Sequence, residues 1–139
     1  MPAPSQPLPY TDRAQTKPYW EACERHELHI QRCNACGTHI WYPQSVCHQC
    51  NSWDLAWVKM SGRGRVFSWI VLQHALHPSF AEKLPLPVAL VELEDAPEVR
   101  ITTNLIDVPL EEIHIGIPVE AIFREVAEGV TMPFFRPTR

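Results

Sequence analysis

The chain has 139 residues, 45% of them hydrophobic and 20% charged, a composition that builds one compact domain or two small ones and excludes a disordered chain. Its formal charge of −4 counts against a protein that holds nucleic acid by neutralising phosphates. No apolar run approaches the roughly 20 residues that span a bilayer, and MPAPSQPLPY has neither the basic start nor the apolar centre of a signal peptide.

The expected location is therefore cytoplasmic, where five cysteines point to metal or reduced thiols before disulfides. Five of the fourteen prolines fall within residues 1–18, so residues 1–15 are expected to form an extended, flexible leader. Lys17 to Glu27 reads as a short helix with Pro18 in its first turn and Thr16 as its cap. At that length it must dock on something else. Residues 28–60 are dense in cysteine, aromatic residues and turn formers, and residues 16–60 are taken together as one unit.

From Gly62 onward the chain changes to β-type runs broken by proline and glycine: Arg65–Gln73, Val88–Leu93, Val99–Ile106 and Pro118–Phe123. Several short strands in fewer than eighty residues predict a small closed barrel over residues 61–130. His74–Pro87 is too long for a hairpin and is expected to protrude as a loop. Asp107–Gly116 reads as a loop or one helical turn. Thr131–Arg139 is apolar and basic but broken by prolines, so residues 131–139 are expected to be a C-terminal tail rather than a core strand.

Cys33-Asn34-Ala35-Cys36 and Cys47-His48-Gln49-Cys50 are two C-x₂-C pairs with ten residues between them. Four thiolates close a tetrahedron around Zn²⁺, and a two-residue spacer lets each pair grip from one tight turn. Gly37 and Asn51, which follow the pairs, are residue types that tolerate the left-handed backbone of a metal knuckle. A site closed by four cysteines has no position for water, so the zinc is expected to be structural; iron in a rubredoxin-type site uses the same ligands. Cys23 is left over and reads as a small buried residue beside Trp20. His39 and His48 are expected outside the metal shell.

The order of YWEA, LHIQRCNACG, WYPQSVCHQC, GRGRVFSW, PVALVELED, TNLI, IGIPVEAIF and PFFRP resembles a family of zinc-ribbon, OB-fold proteins associated with acyl-CoA metabolism, long catalogued as a domain of unknown function. The resemblance covers roughly residues 16–137. It implies a mainly β fold, with an N-terminal helix and a rubredoxin-like zinc ribbon followed by a small OB-fold barrel. It also implies a non-catalytic accessory subunit in a hetero-oligomer with a thiolase-superfamily enzyme, such as a thiolase or aldolase, or with a hydratase. In such a complex the partner carries the chemistry, and the small subunit aids assembly and holds or passes on the CoA thioester.

A CoA ligand carries phosphates and an adenine ring, which suit basic groups near aromatics. Arg63 and Arg65, flanking Gly64 ahead of Phe67 and Trp69, and Lys83 in the long loop are the candidates; the plainer reading is solvated charges at strand edges. His74 and His77 have no nucleophile near them in sequence, and Glu92, Glu94, Asp95 and Glu98 read as a solvated acidic face. Trp20, Phe134, Phe135 and Arg136 are the candidates for contact with a partner enzyme, since aromatics and arginine are enriched at interface centres. Zinc ribbons and OB-folds also occur in nucleic-acid binders, the alternative function, but here no basic, aromatic-studded strand face supports it. A rubredoxin-type redox carrier is the third reading.

Overall fold

A computed structural model describes residues 6–138; residues 1–5 of the expected leader lie outside the described residues. Helix α1 spans Lys17–Glu24 and buries Tyr19, Ala22 and Cys23. The Thr16 side chain makes no capping hydrogen bond, contrary to expectation; instead its carbonyl accepts from the N–H groups of Tyr19 and Trp20 at 3.0 and 3.3 Å. The helix ends three residues before the expected Glu27 because His26 takes a left-handed conformation, φ 60°. Its N–H reaches the Cys23 carbonyl and the Glu27 N–H reaches that of Ala22, which is the Schellman stop.

Strands β1 (His29–Cys33), β2 (His39–Ile40) and β3 (Leu55–Lys59) form a three-stranded antiparallel sheet in the order β2-β1-β3. Strands β4 (Arg63–Leu72), β5 (Leu86–Leu93), β6 (Ala96–Asn104), β7 (Pro118–Ala127) and β8 (Val130–Pro137) form a second sheet in the order β6-β5-β4-β7-β8. That sheet curls until its two ends meet at a parallel bridge between Leu105 and Phe135, where the Ile106 N–H donates to the Phe135 carbonyl at 2.9 Å. The result is the expected mainly β fold, a ribbon followed by an OB-type barrel. Gly64 lets β4 and β5 press together at the start of the barrel, since a Cβ there would lie 2.4 Å from the Glu92 carbonyl oxygen.

The loop after β4 carries a 3₁₀ helix at Pro78–Lys83, and Leu110–Glu112 forms a single 3₁₀ turn within the expected loop. Val66, Val91, Leu93, Val99, Ile101, Val119 and Phe135 fill the barrel. Tyr19, Cys23, Leu28, Ile30 and Met60, from the helix and ribbon, belong to the same continuous core. A much smaller cluster, Cys33, Ile40 and Cys47 with Leu55, sits at the tip of the ribbon. Among the described residues, no helix is long and apolar enough to cross a membrane.

The expectation that overturns is the C-terminal tail. Val130–Pro137 is a strand paired with β7 along its length. Along a strand, alternate residues direct their backbone groups to opposite flanks. Phe135 directs its carbonyl toward β6, so Pro133 and Pro137, at the same parity, place their missing N–H groups on that flank too. The ladder to β7 loses nothing to the prolines, which are tolerated for that reason.

Candidate functional site

The two cysteine pairs sit on matching knuckles. In the first, the Cys33 N–H donates to the Thr38 carbonyl and the Gly37 N–H to the Cys33 carbonyl, each at 2.9 Å. In the second, Cys47 to Ser52 and Asn51 to Cys47 repeat the pattern at the same 2.9 Å. Gly37 and Asn51 occupy the left-handed position in each, with φ of 80° and 62°. Asn34 ties the knuckles to the start of β3: its N–H donates to the Asp54 carbonyl and its Nδ2 to Asp54 Oδ1.

A tetrahedron of Zn–S bonds near 2.3 Å sets neighbouring sulfurs about 3.8 Å apart. Here the Sγ atoms of Cys33 and Cys50 stand 3.6 Å apart, as do those of Cys36 and Cys47, and all four lie within 4.8 Å of one another. The donor set fits zinc, which Cys33, Cys36, Cys47 and Cys50 would hold with no coordination position left for water. When bound, such an ion supplies cross-linking of the ribbon rather than chemistry. The ligands hold protons unevenly. Thr38, through its hydroxyl 3.2 Å from Cys36 Sγ and its N–H, draws Cys36 down to about 6, and the N–H of Cys36 lowers Cys33. The Ser52 N–H lowers Cys50, but the neighbouring thiols outweigh it and push Cys50 up to about 12. Loading four thiolates therefore releases protons.

Arg63 and Arg65 lie together on the wall of a groove of about 680 Å³ at the start of β4. Glu92, Glu94 and Glu120 line the same groove, so two of the acidic residues read as a solvated face share it with the arginines. Arg65 also donates to the Gly116 carbonyl at 3.1 Å, which fixes its direction. Lys83 is not part of this groove. It lies beyond the other end of β4, which carries the chain about 23 Å from Arg65 to Leu72. There its Nζ sits 5.1 Å over the Phe80 ring and donates to Gln6.

Of the candidate contact residues, Trp20 and Phe134 converge on an apolar slot of about 270 Å³ between α1, the ribbon and the barrel. Trp41 and Tyr42 complete it; Tyr19 touches both Trp20 and Trp41, with ring centroids 4.9 and 5.1 Å apart. Sequence reasoning missed these two, although a Trp-Tyr pair between two metal knuckles was a visible signal. Phe135 does not belong with them. It is 0% exposed, inside the barrel at the closure point, and has no surface to present to a partner. Arg136 is exposed, and its Nε pairs with Glu120 across the strands at 3.2 Å.

Several other titratable groups hold structural positions, whereas His74 is exposed in the loop after β4. Cys23 is fully buried, and that burial pushes its thiol up to about 12, the opposite of a nucleophile's environment. His77 accepts from the Ser79 N–H and caps the 3₁₀ helix. His39 bridges ribbon to barrel through Glu98 at 3.2 Å, and Asp95 accepts from the Ser61 N–H at 2.8 Å.

Comparison with known proteins agrees with this architecture. Residues 20–55 match the model of the ChsH2 rubredoxin-like zinc ribbon domain, and residues 57–124 match that of the ChsH2 C-terminal OB-fold domain. The chain is 34% identical over 106 residues to a DUF35 domain-containing scaffold protein of Methanocaldococcus jannaschii, covering 76% of this chain and 73% of that one. It is 40% identical over 119 residues to a probable enoyl-CoA hydratase alpha subunit of Thermomonospora curvata, covering 86% of this chain but spanning only 36% of that protein. Among solved structures, a chain of the Ltp2-ChsH2(DUF35) aldolase superposes with a TM-score of 0.82 at 37% identity, covering 93% of this chain and 98% of that one.

Proposed function

The chain belongs to the DUF35 family of zinc-ribbon, OB-fold proteins, and from that membership we propose that it is a non-catalytic accessory subunit of an acyl-CoA-processing enzyme. The observation that carries this reading is the likeness to nearly the whole of one chain in an aldolase complex. A second line of support is chemical. Four of the five cysteines converge on the metal centre, and the fifth is buried with its thiol protonated. The Ser79 hydroxyl does lie 2.8 Å from His77 Nδ1, but the same nitrogen accepts from the Ser79 N–H, so this contact caps the 3₁₀ helix.

In this role zinc holds the ribbon, the ribbon sets the angle of α1, and the two form a docking surface with the barrel. The enzyme partner is of thiolase type, a thiolase or aldolase, on the strength of the family resemblance and the aldolase likeness. A hydratase partner is the variant that the Thermomonospora relative's name raises. The shared ligand is a CoA thioester, whose phosphates Arg63 and Arg65 would meet from the groove; Lys83 would act apart from them. Trp20, Phe134 and Arg136 face the partner. Thiolate ligands must stay reduced, which goes with a cytoplasmic setting.

Affinity purification of the tagged chain from its native host tests this. A near-stoichiometric thiolase-like or hydratase-like subunit is the expected result, with no turnover by the small chain alone. Cys36→Ser should take zinc, measured by elemental analysis, from one per chain to near zero and lower recovery of the partner at least tenfold. Recovery of the wild-type chain alone overturns the accessory role, and normal assembly of zinc-free variant overturns the role given to the metal.

A further inference from the structure

Strand β4 is paired on one flank throughout, from Gly64 with Leu93 to Leu72 with Leu86. On its other flank β7 pairs only Arg63–Arg65, and Val66 extends the contact by bonds to Gly116 and Ile117. Past Val66, among the described residues, no backbone group of Phe67–Leu72 finds a hydrogen-bond partner on that flank. An open edge of this kind is a template for another strand, and folded proteins usually blunt it with charge or proline. Here neither device is used: Val66–Gln73, VFSWIVLQ, contains no charged residue and no proline.

The face beside the edge is equally uncharged. The register places Ser68 with Leu90, Ile70 with Val88 and Leu72 with Leu86, and the alternation with buried Ala89 and Val91 turns these pairs to the outside of the barrel. Ile70 is 58% exposed in the middle of that face. A bulge at Phe67 marks where the free edge begins, and the Arg100 guanidinium lies 3.9 Å over its ring. The bulge and that cation–π contact bound the apolar edge at one end.

We propose that the Phe67–Leu72 edge of β4 receives an extended strand of the partner enzyme, uncharged and with apolar residues at alternate positions, which adds to the barrel sheet. The unpaired backbone selects an extended segment, because only a strand satisfies a row of alternating donors and acceptors. The lack of charge on the edge and on the face beside it selects a neutral segment, since a charged side chain would be desolvated there without a counter-charge. A six-residue edge is also far short of the roughly 800 Å² per partner of a stable dimer, which argues against a second copy held by this edge alone. The inference rests on the accessory-subunit reading and adds the place and mode of docking.

The test uses the full chain, purified from its host as wild type, Ile70→Lys and Leu76→Lys. Leu76 is 88% exposed in the loop outside the edge and serves as the control. Amide hydrogen exchange is followed in the co-purified complex and in the chain released from it. Expected are at least tenfold slower exchange at alternate amides of Phe67–Leu72 in the complex, at least tenfold less partner recovered with Ile70→Lys, and no loss with Leu76→Lys. A complex that forms normally with Ile70→Lys, or whose edge amides exchange as fast as in the free chain, overturns the docking mode and leaves the accessory role standing. A chain recovered without any partner overturns both. A homodimer with protected edge amides overturns the choice of occupant in favour of a second copy.

Discussion

At the scale of single residues, the clearest statement is made by Cys23. Its thiol is lifted from an ordinary 9.0 to about 12, first by desolvation, and Tyr19 beside it is raised well above its usual value, also first by burial. Both groups keep their protons longer in the fold than in the unfolded chain. Their contribution to stability is therefore fully present below pH 9 and declines as the pH rises from about 9 toward 12, because over that range the unfolded chain binds fewer protons. Denaturant midpoints measured from pH 8 to 11 should fall, and Cys23→Ala should flatten the slope; an unchanged slope would mean that another group controls it. The metal cysteines were readable from spacing alone, because each C-x₂-C grip is completed within six residues of chain. The left-handed positions of Gly37 and Asn51 were readable for the same reason. The left-handed His26 was not: it depends on where the helix runs out of docking surface, and its ring stacks on Phe123, nearly a hundred residues away in sequence.

At the scale of elements, β8 separates what local pattern reveals from what pairing decides. Two prolines in eight residues argue against a strand only until the flank that receives them is known. The adjacent phenylalanines then take opposite roles. Phe135→Ala should empty part of the barrel core and cost about 3–5 kcal/mol of stability. Phe134→Ala, at a half-buried ring on the slot, should leave thermal stability within a few degrees of wild type while weakening partner recovery. Equal destabilisation by the two would contradict the register. The aromatic slot itself was hidden from sequence reasoning because five separate stretches build it, residues 16–20, 41–43, 88, 101–104 and 132–134. The open flank of β4 was hidden likewise, since a run such as VFSWIVLQ looks the same whether it has one neighbour or two.

At the scale of the whole molecule, two cores of unequal size set the response to metal removal. The tip of the ribbon has only Cys33, Ile40, Cys47 and Leu55 to hold it, too little apolar area to stay ordered without a cross-link. Chelation should therefore raise amide exchange across residues 33–55 by orders of magnitude, while Val91, Ile101 and Val119 stay protected in the barrel. Complete unfolding on chelation would show that zinc stabilises more than the tip. The base of the ribbon behaves differently, because Leu28, Ile30 and Met60 are packed into the barrel's own core with Tyr19 and Cys23. The sequence divides into a ribbon model and a barrel model at residue 56, yet the packing has no seam there. A gene cut at that point would yield two fragments, each with half of an interior facing water. Trading the ribbon of one lineage for that of another would therefore require re-fitting the side chains beneath it, Leu28, Ile30 and Met60 among them.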